Sequence, residues 1–344
     1  MRPLARALAI LVAALVVIGV AAIWQVDRFL DSPVNVPADG ARFEIAPGTP
    51  FARVSQRLAE EGIVAYPKLL RLYARVSGKA NAVHAGEYLI EPGTTTAGLL
   101  EQFTRGDVLL YSFTIIEGWN QWDLLRALHA HPEIDAQMSA EDWPALLEEL
   151  GADTRHPEGL FLPETYHFPR NTSDRTLLRQ AYTLMQTVLS EEWPKRDPDA
   201  PVSTPYEALI LASIVEKETA RPDERHRIAG VFARRLEKRM RLQTDPTVIY
   251  GIGPDFNGNL TRRDLGTDTP YNTYTRGGLP PTPIAMPGRD AIRAALHPAA
   301  GRELYFVATG LGDGSHKFSE TKAEHDEAVA EYLKQLRRNR QKGM

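Results

Sequence analysis

The chain has 344 residues, of which 43% are apolar and 24% charged, with a formal net charge of −4. That composition is ordinary for a globular protein and supplies a real core, with room for an anchor and about two domains. The slight acidity argues against a nucleic-acid-binding body, and the absence of cysteine excludes disulfides, thiolate metal sites and a cysteine nucleophile.

Arg2 and Arg6 precede an uncharged run from Ala7 to Val26, rich in Leu, Val, Ile and Ala. About 20 such residues cross the hydrocarbon core of a bilayer. Trp24 stands at the far end, at interfacial depth. The two arginines predict a cytoplasmic tail of residues 1–6, a transmembrane helix over 7–26 and an exported body, by the positive-inside rule. The competing reading is a cleaved signal peptide with Val20-Ala21-Ala22 as its cleavage region, for which the run is long. Residues 27–40, with Ser32, Pro33, Pro37 and Gly40, read as a linker above the membrane.

Two similar segments follow. Phe43-Glu-Ile-Ala-Pro-Gly-Thr49 precedes a helical pattern with Val54 and Leu58, and Tyr88-Leu-Ile-Glu-Pro-Gly-Thr94 precedes another with Leu99, Leu100 and Phe103. Each reads as a strand, a Pro-Gly turn, a Thr near the N-cap and an amphipathic helix. Thr114 to Gly118, followed by Leu124, Leu125 and Leu128, is a looser third copy, and Tyr66 to Val76 is a further helix. Residues 41–108 are thus expected to form a small α+β subdomain. Its strand, Pro-Gly-Thr and helix resemble the LysM module, which binds N-acetylglucosamine-containing glycans; a packing subdomain without sugar affinity is the alternative. Beyond it, residues 139–200 read as helical and acidic with loops, Leu304 to Ala308 as a buried strand, and Thr321 to Arg338 as a terminal helix with Ala328 and Leu333 inward.

The densest stretch begins at Ala208-Leu-Ile-Leu-Ala-Ser-Ile-Val-Glu-Lys-Glu-Thr219. At 100° per residue, Leu211, Ile214 and Val215 share a stripe with Glu218, while Glu216 falls beyond its edge and Ser213 and Lys217 on the polar side. A carboxyl aimed at apolar surroundings has its pKa raised by desolvation, which suits a general acid near neutrality. The residues alone leave a second reading open: a buried salt bridge from Glu218 to Arg225, Arg227 or Arg234 on the next helix. That helix has an apolar stripe of Ile228, Phe232 and Leu236 and an exposed basic face that includes Arg234, Arg235 and Arg239.

Leu242 to Gly251, Thr269 to Thr275 and Gly277 to Ile284 read as long polar loops. Gln243, Asp245, Tyr250, Asn272 and Tyr274 are the candidates there for holding sugar, through hydrogen bonds to hydroxyl and N-acetyl groups and ring stacking on pyranose faces. Glu158 and Glu164 lie in one proline-containing loop, and Glu164 is the candidate second carboxylate for a hydrolase or, equally, a turn-stabilising side chain. The nine histidines are scattered, no Gly-rich phosphate loop precedes a helix, and no Gly-x-Ser-x-Gly elbow occurs.

Ala212-Ser-Ile-Val-Glu-Lys-Glu-Thr219, Arg241-Leu-Gln-Thr-Asp-Pro-Thr-Val-Ile-Tyr-Gly251, Tyr271-Asn-Thr-Tyr-Thr275 and Gly278-Leu-Pro-Pro281 closely resemble the YceG-like endolytic murein transglycosylases (MltG). Leu162-Pro-Glu-Thr-Tyr166, Ala295-Leu-His-Pro298 and Leu304-Tyr-Phe-Val307 continue the match, so it covers essentially the whole chain. The family often has Asp where Glu164 stands, a departure that keeps the carboxylate. The resemblance implies an α+β catalytic domain over 109–340, Glu218 as the catalytic residue, and lytic cleavage of the β-1,4 bond between N-acetylmuramic acid and N-acetylglucosamine to leave a 1,6-anhydro end. It also implies peptidoglycan glycan strands as substrate, the inner membrane as location, action on nascent strands beside peptidoglycan synthases, and no metal or cofactor. A wall-binding scaffold, or a muramidase using Glu218 with Glu164, are the other functions to be weighed.

Overall fold

The computed structural model describes residues 2–341, with the side chains of residue 8 and of residues 10–339. The cytoplasmic tail expected at residues 1–6 lies outside the described side chains. The chain forms two compact units, Met1–Tyr111 with His167–Arg170, and Ser112–Tyr166 with Asn171–Met344.

The smaller unit begins with α1 (Arg2–Asp31). Its stretch Ile10–Asp31 contains an 18-residue window of mean hydropathy 2.3 and is long and apolar enough to cross a membrane. The expected span was 7–26 with a linker at 27–40, but the helix runs on through Asp31 and its last turn buries Phe29 and Leu30, with Val34 behind them. Val34 N–H donates to Thr94 O at 2.8 Å, so the first part of that linker is packed chain. Three apolar residues among the polar ones are enough to hold it down.

Next come β1 (Ala41–Ile45), α2 (Phe51–Glu60), α3 (Pro67–Val76), β2 (Gly86–Ile90) and α4 (Thr96–Arg105). The strands pair antiparallel with Phe43 opposite Tyr88. Alternation turns Phe43, Ile45, Tyr88 and Ile90 inward, where Phe103 of α4 packs on both aromatic rings, at 5.9 and 4.7 Å between centroids. The cap expected from the Pro-Gly-Thr pattern is one residue further on in α4, where Thr95 accepts from Gly98 N–H. In α2 the N-cap is Pro50, which offers no side-chain bond.

β3 (Leu110–Thr114) and β5 (Thr165–Pro169) each carry residues of both units, and the larger unit holds α5 (Gln121–Ala130), β4 (Ile134–Asp135), α6 (Trp143–Glu149), β6 (Thr172–Ser173) and α7 (Asp174–Glu192). It continues with α8 (Pro205–Glu218), α9 (Arg225–Glu237), α10 (Asp245–Ile252), α11 (Arg262–Gly266), α12 (Arg289–Leu296), β7 (Tyr305–Ala308), β8 (His316–Ser319) and α13 (Lys322–Gln341). Among the described residues every sheet is two-stranded, so the core is made by helices. At its centre is α8, packed by α9, α10 and α12.

The amphipathic pattern read for α8 is not what the fold uses. Every residue from Ala208 to Val215 is buried, including Ser213 on the face expected to be polar. Ser213 Oγ donates to Ile210 O at 2.7 Å and accepts from Ile284 N–H at 3.0 Å, which makes it a tie between the helix and the Pro-rich loop. The helix is enclosed on all sides, so a stripe argument understates its burial. Three other expectations also shift. β7 is only half-buried, since it belongs to a two-stranded ribbon that forms a cleft wall. In α13, Ala328 is buried but Leu333 is 46% exposed. The stretch from Leu242 to Gly251 holds a short helix, α10, with Pro246 in its first turn.

Replacing Ser213 with Ala leaves Ile284 N–H unpartnered in the core. Ser213→Ala is expected to lower stability by about 1–3 kcal/mol in urea denaturation of the full chain, whereas Ser203→Ala at an exposed position stays near wild type.

Candidate active site

Glu218 is the last residue of α8. Carbonyl oxygens of a final helical turn lack intrahelical partners and carry partial negative charge, which disfavours a carboxylate there. Burial disfavours it further. Together with the charge of Asp245 this raises the Glu218 pKa to about 6, against a hydrogen bond from Thr244 and the positive charges of His316 and Arg235, which act the other way. The largest of these effects is desolvation. Among the described residues Glu218 has no ion-pair partner; its carboxyl accepts a hydrogen bond from Thr244 Oγ1.

Thr244 is aimed by its own set of bonds. Its N–H donates to Thr273 Oγ1 at 3.1 Å, and its carbonyl accepts from Thr247 Oγ1 at 2.7 Å. Gln243, just before it, has φ of 53°, a left-handed conformation uncommon outside glycine, and donates its N–H to Thr273 O at 3.2 Å. Strained backbone of this kind persists where surrounding bonds over-determine it, and such places cluster at functional sites.

A cavity of about 390 Å³ opens above Glu218. Gln243, Asp245 and Tyr274 line it, as do Arg235, Tyr305, Lys322 and His325. Tyr274 Oη donates to Asp245 Oδ1 at 2.6 Å, and both this bond and burial raise the tyrosine pKa. Thus four of the residues singled out in the sequence, Glu218, Gln243, Asp245 and Tyr274, share one cleft. The other three do not line it. Asn272 is fully buried and its amide donates to Asp264 O, Leu265 O and Thr267 O, while its Oδ1 accepts from Tyr274 N–H at 2.8 Å; it shapes the loop that presents Tyr274. Tyr250 lies under a neighbouring cavity and donates to Glu158 at 2.8 Å. Glu164 is exposed, accepts from the adjacent Thr165 N–H at 2.9 Å, and borders a separate depression with Glu117 and Asp290.

The buried salt bridge considered for Glu218 exists, but on Glu216. That carboxylate, 5% exposed, pairs with Arg225 at 3.2 Å and accepts from Gly288 N–H at 2.9 Å. Glu216 was placed on a solvated edge; enclosure of α8 buries that edge too. Arg225 also holds Glu117 at 3.2 Å and Asp290 at 3.5 Å.

Several cleft residues escaped the sequence reading. Thr244 stands between two chosen residues and was the most readable, as a hydroxyl within hydrogen-bond reach of a carboxyl. Arg235 was assigned to an exposed basic face but is buried, its guanidinium donating to Leu304 O at 2.6 Å and Leu242 O at 2.7 Å, with its pKa lowered by desolvation. It is a fixed positive charge near Glu218 that pairs with no carboxylate among the described residues. Tyr305, Lys322 and His325 come from the C-terminal ribbon and helix, and only tertiary contact brings them here. Burial also lowers the His325 pKa. Elsewhere, Glu158 is fully buried with its pKa raised to about 8 by desolvation. No group of three His, Cys, Asp or Glu among the described residues is arranged to hold a metal ion.

The YceG-like family model matches residues 43–331. An endolytic murein transglycosylase of Bacillus subtilis is 29% identical over 324 residues, 87% of this chain and 84% of that protein. One from Streptococcus pneumoniae is 28% identical over 340 residues, 88% of this chain, which spans only 61% of that longer protein. A crystal structure of a YceG-like protein from Listeria monocytogenes superposes with a TM-score of 0.51 at 26% identity, covering 85% of this chain and 99% of that one.

Two substitutions separate the glutamates. A carboxyl whose pKa rises from 4.5 to about 6 on folding contributes stability that is full below pH 4.5 and lost as pH rises through about 6. Glu218→Gln is neutral at every pH, so it is expected to be more stable than wild type by about 2 kcal/mol at pH 8 and no more stable at pH 4. Glu216→Gln removes the buried carboxylate from Arg225, which keeps Glu117 and Asp290, and is expected to cost about 1–3 kcal/mol at pH 8. Guanidinium titrations of the three proteins at both pH values check the pair of outcomes.

Proposed function

Because the chain belongs to the YceG-like family, we propose that it is a membrane-anchored lytic transglycosylase that cuts peptidoglycan glycan strands internally, with Glu218 as both acid and base. The observation that carries this reading is a carboxyl at a cleft floor, held by a hydroxyl and without an ion pair, with a pKa near 6. The names of the Bacillus and Streptococcus relatives supply the substrate and the reaction class.

In the proposed reaction, protonated Glu218 donates to the glycosidic oxygen that links N-acetylmuramic acid to N-acetylglucosamine. The C1–O bond breaks and positive charge develops at the muramyl anomeric carbon. The substrate's own 2-acetamido group meets that charge, a substrate-assisted route. Asp245 adds a negative charge on the same cavity wall and helps keep Glu218 protonated beforehand. Once deprotonated, Glu218 is stabilised by the Thr244 hydroxyl and by the buried guanidinium of Arg235. It then takes the proton from the muramyl C6 hydroxyl, whose oxygen closes the 1,6-anhydro ring on C1. One carboxyl serves both steps because the nucleophile belongs to the substrate. Gln243 and Tyr274 orient the sugar; Tyr250, Asn272 and Glu164 stand outside this cavity.

The rest of the reading follows the same family. The helix Ile10–Asp31 anchors the chain in the inner membrane with its N-terminus cytoplasmic and its body periplasmic. Residues 41–108 form a LysM-like module, supported by the repeated strand, Pro-Gly turn and helix. Residues 109–340 are the catalytic domain, and cutting near the membrane ends the growth of nascent strands beside their synthases.

Mass spectrometry of glycan strands digested by the detergent-solubilised full chain tests the reaction. Anhydromuramyl ends are expected, and Glu218→Gln is expected to reduce their formation by about 10²–10⁴-fold. Because the acid must begin protonated, kcat/KM should fall tenfold per pH unit above about 6. Reducing ends carrying added water would replace the lytic route by hydrolysis, and no cleavage at all would leave a wall-binding scaffold.

A further inference from the structure

A second cavity, of about 370 Å³, lies next to the first. Two pairs of consecutive residues show how near it is. Glu218 lines the first cavity and Lys217 the second; Asp245 lines the first and Pro246 the second. The end of α8 and the first turn of α10 are therefore a shared wall between them.

The second cavity has an aromatic wall and a polar rim. Trp122, Tyr250 and Phe256 supply the rings, and Asn120, Arg126 and Lys217 the rim. Trp122 sits in the first turn of α5, which is fixed by a capping box in which Asn120 Oδ1 accepts from Trp122 N–H and Asp123 N–H, each at 3.0 Å. Its indole packs on Tyr250 at 5.4 Å between centroids. Tyr250 is in turn tied to Glu158 at 2.8 Å, whose Oε2 also accepts from Gln121 N–H at 3.2 Å. Trp122 and Tyr250 are thus held in place by contacts within the protein. Lys217 donates to Gly118 O at 3.1 Å and, among the described residues, has no carboxylate partner. Arg126 is paired with Asp123 at 3.1 Å, so the rim keeps one cation in excess.

We propose that this cavity is a second sugar-binding subsite, occupied by another disaccharide of the strand whose scissile bond lies at Glu218, with Trp122 stacking on a pyranose face and Lys217 meeting a stem-peptide carboxylate. The occupant follows from three features together. Apolar pyranose faces suit fixed aromatic rings, the rim matches hydroxyl, amide and carboxylate groups, and the cavity shares a wall with the one in which the cut is proposed. Such a subsite makes the enzyme favour long strands, because a strand that fills both cavities gains binding that a single disaccharide cannot. This inference rests on the reading of the protein as a glycan-cleaving enzyme and adds where the uncut remainder of the strand is held.

The test measures kcat/KM of the full chain on uncrosslinked glycan strands of two lengths, two disaccharides and eight, for wild type, Trp122→Ala and Trp122→Phe. The loss caused by Trp122→Ala is expected to be about tenfold greater on the long strand than on the short one, with Trp122→Phe, which keeps a stacking ring, recovering most of it. A variant that merely folds poorly would lose equally on both lengths, and that outcome would overturn the subsite, as would full activity on long strands. The Kd of the long strand for Glu218→Gln, with and without Trp122→Ala, gives the same reading without turnover: unchanged affinity rejects the subsite. Absence of anhydromuramyl products from wild type is a different failure, that of the enzymatic reading itself.

Discussion

Helix α8 is enclosed by α9, α10 and α12, and the rest of the larger unit answers to that enclosure. A helix with an exposed side can carry polar residues there at little cost. This one cannot, so each polar group on it has to be paired, neutralised or brought to an opening. Ser213 is paired twice, Glu216 has Arg225 and a backbone N–H, and Lys217 reaches the surface. Glu218, which has no ion-pair partner among the described residues, lies at the helix end and on a cleft. Its proton affinity follows from that position.

The two glutamates show how little sequence distance matters beside geometry. They stand two residues apart on one helix, and both are pushed towards higher pKa first of all by burial. Glu216 meets a guanidinium that also holds Glu117 and Asp290, a structural knot joining four parts of the chain. Glu218 meets a threonine hydroxyl that can support either protonation state, since a hydroxyl donates to a carboxylate and rotates to suit the acid. One arrangement locks a charge in place, whereas the other leaves it free to come and go.

The cleft is assembled from separate stretches of chain. α8 brings the carboxyl, the strained Gln243 turn brings Thr244 and Asp245, and the Tyr271 to Thr275 loop brings Tyr274. The C-terminal ribbon and α13 complete the wall with Tyr305, Lys322 and His325. Asn272, fully buried, fixes one of these loops through three backbone carbonyls. Its role is to place a neighbour, as is that of Thr273, whose hydroxyl meets both Thr244 and Thr247.

Much of this was legible in residues. The apolar N-terminal run, the strand-and-helix units of the smaller unit and helix α8 were set by hydrophobic periodicity and by motif, because local sequence dictates which backbone conformations bury apolar side chains. Local pattern could not tell how many sides of a helix are covered. It therefore exposed Ser213, Glu216 and Arg235, all of which the fold buries, and set residues 27–34 free where Phe29, Leu30 and Val34 pin them. It also grouped polar loop residues by composition, whereas the fold divides them, with Gln243, Asp245 and Tyr274 beside Glu218, and Tyr250, Asn272 and Glu164 elsewhere. Which carboxyl would be buried without a counter-charge was a matter of long-range packing, since charge compensation depends on what arrives from distant parts of the chain. Sequence determined which acids this protein carries; only tertiary structure decided which of them, Glu158 and Glu218 among them, lose water without gaining a counter-charge among the described residues.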